Sequence, residues 1–248
     1  SPDASVEDQA INDKHDKHIS SQFDAELGSI STRVLEMGGM VEAQVGQAIY
    51  ALTHLSNETA EQVLTTEERV NALEVEIDRE LWTIIARRQP TARDLRLLVA
   101  IAKAIANLER AGDEAARIAR TVQKLIGTGV SSRLRLPLED LAYASTLAVK
   151  QLHQALDAFA RLDVQQALDV LKADNQIDLE FEGLMRKLVT YMIEDPRTIS
   201  SSIDLVFVAK AIERVGDHGK NLAEAVIYVV KGTDVRHNPV ESVEAMVR

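Results

Sequence analysis

Two short motifs place pairs of carboxylates at a spacing suited to binding a cation. The first is Glu109-Arg110-Ala111-Gly112-Asp113, and its near-copy, Glu213-Arg214-Val215-Gly216-Asp217, follows 104 residues later. Residues four positions apart in an α-helix lie one turn apart on the same face. Each motif therefore presents a glutamate beside an aspartate, and the two copies indicate an internal repeat.

The residues around the motifs predict that both carboxylate pairs face a protein core. Apolar residues recur at intervals of three and four on the helix face that carries Glu109, and the same holds for Glu213. Each motif also has a glycine before its aspartate, although glycine within a helix costs about 1 kcal/mol relative to alanine. Because a buried carboxylate needs an ionic partner or a bound metal, each motif predicts a site with such partners.

The whole chain is predicted to be all-α, with two pseudo-symmetric three-helix bundles. Helical periodicity, capping residues and the prolines at positions 90 and 196 predict helices over about 20–55, 57–88, 91–126, 138–162, 163–194 and 199–230. We assign residues 19–128 to the first bundle, 129–136 to a linker and 137–232 to the second bundle. Residues 1–18 are too polar to pack and are predicted to be a disordered N-terminal tail, and residues 233–248 a C-terminal tail.

The predicted turn at Pro90 indicates which residues of the first bundle face each other. If the helices before and after this turn are antiparallel, Glu67 lies opposite Asp113 and Asn71 lies opposite Glu109. Glu74, about one turn further along the same helix, is an accessory candidate.

The turn at Pro196 gives the same arrangement in the second bundle. There Asp174 lies opposite Asp217, and Asp178 lies opposite Glu213. Both halves thus predict, independently, two carboxylate-bearing helices that face each other.

Such packed carboxylates repel each other unless a cation neutralises them. Because the chain has no cysteine, oxygen or histidine must supply the ligands, and oxygen ligands suit magnesium, manganese, calcium or iron. We expect carboxylate-bound metal ions, with iron, manganese, zinc and magnesium as candidates. His218 is a possible accessory ligand. The alternative is that Arg110 and Arg214 neutralise the motifs in ion pairs.

Composition excludes several kinds of partner. The formal net charge of -11 argues against nonspecific binding to nucleic acid or to anionic lipid. No stretch approaches the roughly 20 apolar residues of a membrane span, so direct membrane insertion is not expected. A cysteine-free chain without a signal pattern fits the cytoplasm.

Three further segments, together with the motifs, resemble the PhoU family. They are residues 70–78, 88–96 and 188–198, and the resemblance extends from about His18 to Lys231. It implies two symmetric three-helix bundles with metal clusters bound by repeated Glu/Asp-x-x-x-Asp pairs. In this chain those pairs are Glu109 with Asp113, Glu213 with Asp217, and Asp174 with Asp178. The fourth pair departs from the family pattern, because Glu67 is followed four positions later by the uncharged Asn71, which predicts a weaker first site.

The resemblance also implies a function that the residues alone do not indicate. PhoU proteins are cytoplasmic, non-catalytic regulators of phosphate uptake. The family role implies contacts with the ATPase subunit of the phosphate ABC transporter and with the phosphate sensor histidine kinase, repression of the phosphate-starvation regulon when phosphate is ample, and a homodimer. Two other hypotheses remain from the residues: a metal-dependent phosphoesterase, since clustered metals can activate water, and a purely structural helical scaffold.

Overall fold

The computed structural model describes residues 3–130 and 134–248, and for residues 3–19 it describes the backbone alone. The long helices are α1 (Asp3–His54), α2 (Asn57–Arg88), α3 (Ala92–Gly127), α4 (Leu138–Arg161), α5 (Val164–Glu194) and α6 (Ile199–Lys231). A 3-10 turn, Pro196–Thr198, precedes α6, and a short helix, α7 (Val240–Val247), ends the chain. None of the described helices has a segment apolar enough to cross a lipid bilayer.

The six long helices form two three-helix bundles, as the sequence predicts. The first bundle consists of α1, α2 and α3, and the second of α4, α5 and α6. The starts of α2 and α5 follow capping rules: the Ser56 side chain accepts a hydrogen bond from the Thr59 amide, and Asp163 accepts one from the Gln166 amide. Buried leucine, isoleucine, valine and alanine side chains form one continuous core through both bundles.

The bundles join through α3 against α6 and α1 against α4. Lys124 contacts Asp204, and Asn107 contacts Asn221, so α3 and α6 run antiparallel. The register of these contacts places Gly112 at the same level as Gly216 along the two helices, and these are equivalent positions of the repeat. The two acidic motifs therefore lie about a pseudo-two-fold axis at the centre of the interface between the bundles.

Helix α1 begins earlier than expected. The sequence predicts a disordered tail over residues 1–18, whereas the backbone of residues 3–18 is helical and continues into α1. This segment contains no glycine or proline, and it has four aspartates, two alanines and two lysines. With no helix-breaking residue in it, the helix that starts in the bundle can propagate through it although the segment is polar.

The segment after α6, predicted as a tail over residues 233–248, packs against the second bundle. Val235 and Val243 are buried. The Lys172 ammonium group on α5 lies 3.1 Å from a Glu244 carboxylate oxygen on α7. This segment therefore forms an additional wall beside α5 and α6.

Candidate metal centres

The first acidic cluster comprises Glu67 and Glu74 from α2 with Glu109 and Asp113 from α3. Burial and contact with the Asp113 carboxyl raise the pKa of Glu67 to about 7, and the same two causes raise the pKa of Glu109 to about 7. Burial, followed by the charges of Asp78 and Asp113, raises the pKa of Glu74. The predicted opposition of Glu67 and Asp113 is therefore present, and Glu74 belongs to the same cluster.

Only part of this negative charge has a basic partner. Arg120 donates a hydrogen bond of 3.1 Å to Glu67. Among the ion pairs of residues 20–130 and 134–248, whose side chains the structure describes, none includes Glu74, Glu109 or Asp113. The first cluster therefore has carboxylates that a bound cation could stabilise.

Asn71 is placed differently from Glu74. Its side chain is exposed on α2, whereas Glu74 is half-buried and contributes to the raised pKa of Glu109. The role of Asn71 as a ligand stays a prediction, and Glu74 is the better-placed neighbour of Glu109.

The second acidic cluster comprises Asp174 and Asp178 from α5 with Glu213 and Asp217 from α6. Partial burial, together with the charges of Asp174, Glu213 and Asp178, raises the pKa of Asp217 to about 6. Burial and the charges of Asp174 and Glu213 also raise the pKa of Asp178. All four predicted residues thus lie within electrostatic reach of each other, although Asp178 and Asp217 remain solvent-exposed.

Lysine and glutamine side chains contact two members of the second cluster. Lys220 lies 3.1 Å from an Asp174 oxygen, and Lys210 lies 3.0 Å from a Glu213 oxygen. The buried Gln151 amide donates hydrogen bonds of 3.1 Å to Asp174 and to the Gly216 carbonyl. These contacts fix Asp174 more firmly than its neighbours.

Sequence reasoning missed the pair of buried glutamines, Gln44 in α1 and Gln151 in α4. Gln44 donates to the Val63 carbonyl at 3.1 Å, and its Oε1 lies 3.0 Å from where a Cβ on Gly112 would be. A larger residue at position 112 would press against Gln44, so Gly112 leaves room for this side chain. The available signal was a glutamine within the apolar face of each helix.

His218 lies at the interface between the bundles. Its Nδ1 is 3.0 Å from Oδ1 of Asn107, and burial, with the nearby charges of Arg110 and Arg214, lowers its pKa to about 4. Arg214 in turn approaches the buried Glu114 at 3.7 Å. Among the described residues, then, neither arginine forms an ion pair with a carboxylate of its own motif, in contrast to the ion-pair alternative.

The donor set suits a hard cation chemically, since carboxylate oxygens are the ligands such ions prefer. The side chains do not converge on one point, however: in the described part of the chain no group of three or more histidine, aspartate or glutamate residues could hold a metal ion as arranged. A metal would have to compete with Arg120 for Glu67 and with Lys220 for Asp174. Metal binding at these clusters therefore requires side-chain rearrangement.

The raised pKa values predict that the chelator-treated protein loses stability as pH rises. An acid with a folded pKa above its unfolded value binds more protons when folded, so stability falls between pH 4.5 and about 7 for Glu67 and Glu109. Allowing for solvent screening, we expect a fall of about 1–2 kcal/mol in the free energy of unfolding, measured by urea denaturation. Asp113→Asn should flatten this dependence, and identical slopes in both proteins would contradict the assignment.

The fold and the clusters define the class of protein: an all-helical protein made of two repeated bundles, with an acidic cluster in each. A family model described as PhoU domain matches the chain twice, over residues 34–122 and 142–226. The two matches fall on the two bundles. The chain belongs to the PhoU family.

Individual relatives support this membership over nearly the whole chain. A Burkholderia protein named phosphate-specific transport system accessory protein PhoU homolog is 49% identical over 222 residues, covering 90% of this chain and 94% of that protein. The accessory protein PhoU of Escherichia coli K12 is 46% identical over 221 residues, covering 89% and 90%. These names describe an accessory protein of a transport system, not an enzyme.

Two solved structures show the same fold. The crystal structure of PhoU from Pseudomonas aeruginosa has a TM-score of 0.79 and 43% identity, covering 85% of this chain and 100% of that one. The phosphate transport system regulatory protein PhoU from Streptococcus pneumoniae has a TM-score of 0.78 and 25% identity, covering 86% and 99%. The two-bundle architecture is therefore shared with these relatives.

Proposed function

We propose that this protein is a non-catalytic cytoplasmic regulator of phosphate uptake and phosphate-starvation signalling. It represses the sensor kinase pathway when phosphate is ample, by bridging the phosphate ABC transporter and the phosphate sensor histidine kinase. The observation that carries the proposal is the 46% identity to the Escherichia coli accessory protein over 90% of that protein. A phosphoesterase has no comparable support, because the named relatives are accessory proteins.

The proposed partners are the ATPase subunit of the transporter and the sensor kinase, and the proposed assembly is a homodimer. The acidic clusters are the proposed metal sites, with iron, manganese, zinc or magnesium as the candidate ions. Metal binding there would replace the contacts that Arg120 and Lys220 make with the carboxylates.

Deleting the gene tests the regulatory role. We expect a phosphate-starvation promoter, followed with a reporter, to be active in the deletion strain even in phosphate-rich medium, because the kinase pathway is no longer repressed. A plasmid copy of the wild-type gene should restore repression of the promoter, and so should the gene of the Escherichia coli relative. A promoter that stays silent in the deletion strain, together with unchanged phosphate uptake, would contradict the proposal.

Binding to each partner can be measured separately from the regulatory phenotype. The tagged protein should retain the purified ATPase subunit and the cytoplasmic part of the sensor kinase, whereas the same tag alone should retain neither. Light scattering across working concentrations tests the homodimer, and a monomer mass throughout would contradict it.

A further inference from the structure

A cavity of about 540 Å³ lies between α3 and α6, outside the acidic clusters. The segment between α6 and α7 forms its third wall through Asp234, Arg236 and His237. A second recess of about 390 Å³ shares Glu224, Arg236 and His237 with it. Small-molecule sites in proteins typically enclose about 300–1,000 Å³, so the cavity has the size of a ligand site.

Three basic side chains line this cavity. Lys103 and Arg110 lie seven positions apart on one face of α3, and Arg236 faces them from the third wall. The Lys103 ammonium group lies 5.0 Å from the centre of the Tyr228 ring. Within the described ranges neither Lys103 nor Arg110 has an ion-pair partner, whereas Arg236 is bonded to Asp234. In a protein of net charge -11, this local excess of unpaired cations favours an anionic ligand.

Glu224 supplies a different kind of contact in the same cavity. Its carboxylate is half-buried, and no hydrogen bond to it is found in the described part of the chain. Burial, as the largest cause, also raises its pKa. An acceptor in this position suits a ligand that carries hydroxyl or amino groups as well as an anionic group.

The repeat indicates that packing does not require Lys103 or Glu224. The position equivalent to Lys103, 104 residues later, is Phe207, which is 65% exposed. The position equivalent to Glu224 is Arg120, which is paired with Glu67. The same fold thus tolerates unrelated side chains at these two equivalent positions. The charges of Lys103 and Glu224 therefore reflect a role specific to this cavity.

We propose that this cavity binds a small phosphorylated metabolite. The phosphate lies among Lys103, Arg110 and Arg236, and the hydroxyl or amino groups of the ligand face Glu224. A ligand of this kind uses both the basic groups and the carboxylate, which inorganic phosphate alone would not. The proposal does not depend on the regulatory function, and it concerns residues other than the candidate metal ligands.

Calorimetric titration of the full chain tests the proposal. Chelator is present throughout, so that no bound metal ion can bind the phosphate group. The probes are adenosine 5′-monophosphate and ribose 5-phosphate, with adenosine and ribose as their unphosphorylated counterparts. We expect at least one phosphorylated probe to bind, and its counterpart to bind at least about tenfold more weakly, because charge-assisted hydrogen bonds to the phosphate are lost.

Substitutions of cavity residues test whether the phosphorylated probe binds in the cavity. Lys103→Met should weaken binding by at least about tenfold, Lys103→Arg should retain it, and the exposed Lys150→Met on α4 should leave it unchanged. Arg236→Met, at an exposed position, gives a second test if Lys103→Met fails to fold by circular dichroism. Failure of wild type to bind either phosphorylated probe would overturn the proposal. So would equal binding by adenosine and its phosphate, or unchanged affinity in the folded variants.

Discussion

Replacing both Glu213 and Asp217 with alanine should remove metal from the second bundle while leaving the metal of the first bundle in place. Glu109→Ala/Asp113→Ala should have the converse effect. Each double variant removes two of the four carboxylates that its cluster brings together. Loss of outer-shell partners alone typically weakens metal binding by about 10–100-fold, so loss of two ligands should weaken it by at least about 100-fold.

Elemental analysis of protein purified without chelator measures this directly. The matched control is Glu58→Ala/Glu61→Ala, which removes two exposed carboxylates from α2 away from both clusters. This control should retain the full metal content of wild type. Wild-type protein that is metal-free and cannot bind added iron, manganese, zinc or magnesium would contradict the metal proposal. The clusters would then be stabilised by protonation and by the contacts with Arg120, Lys210, Lys220 and Gln151.

Much of the fold could be predicted because helical periodicity and capping are local properties. Knowledge of the turn at Pro90 was enough to place Glu67 opposite Asp113, since the register of an antiparallel pair follows from the turn position. The predicted start of α1 near Ser20 was too late, because polarity was taken as evidence against a helix. A polar segment without glycine or proline can nevertheless extend a helix that is anchored elsewhere.

The contacts of the acidic clusters could not be predicted in the same way. Arg120 and Lys220 have long flexible side chains that reach carboxylates on a neighbouring helix, so their choice of carboxylate depends on packing between helices and not on spacing along one helix. Gln151 reaches Asp174 from α4, a helix that the antiparallel pairing of α5 and α6 did not include. Sequence spacing thus identified the ligand candidates but not the groups that hold them.

Gly219→Ala should destabilise the protein although alanine is the better helix former. A Cβ at this position would lie 3.0 Å from both the backbone nitrogen and the Cα of Leu152 on α4, so a helix backbone would have to move. Overpacking typically costs about 1–3 kcal/mol, which exceeds the gain of up to about 1 kcal/mol from helix propensity. We expect a net loss of about 1–2 kcal/mol, seen as a lower urea midpoint.

Gly183→Ala is the matched control, because this glycine also lies within a helix but has no atom within 4 Å of the added Cβ. It should stabilise the protein by about 0.5–1 kcal/mol, so the two substitutions should have opposite signs. Equal effects would show that an added Cβ at Gly219 does not lie as close as 3.0 Å to the backbone of Leu152. Gln151 is adjacent to Leu152 and donates a hydrogen bond to Asp174. Displacement of α4 in Gly219→Ala should therefore also weaken metal binding in the second bundle, so helix packing and the acidic cluster are connected.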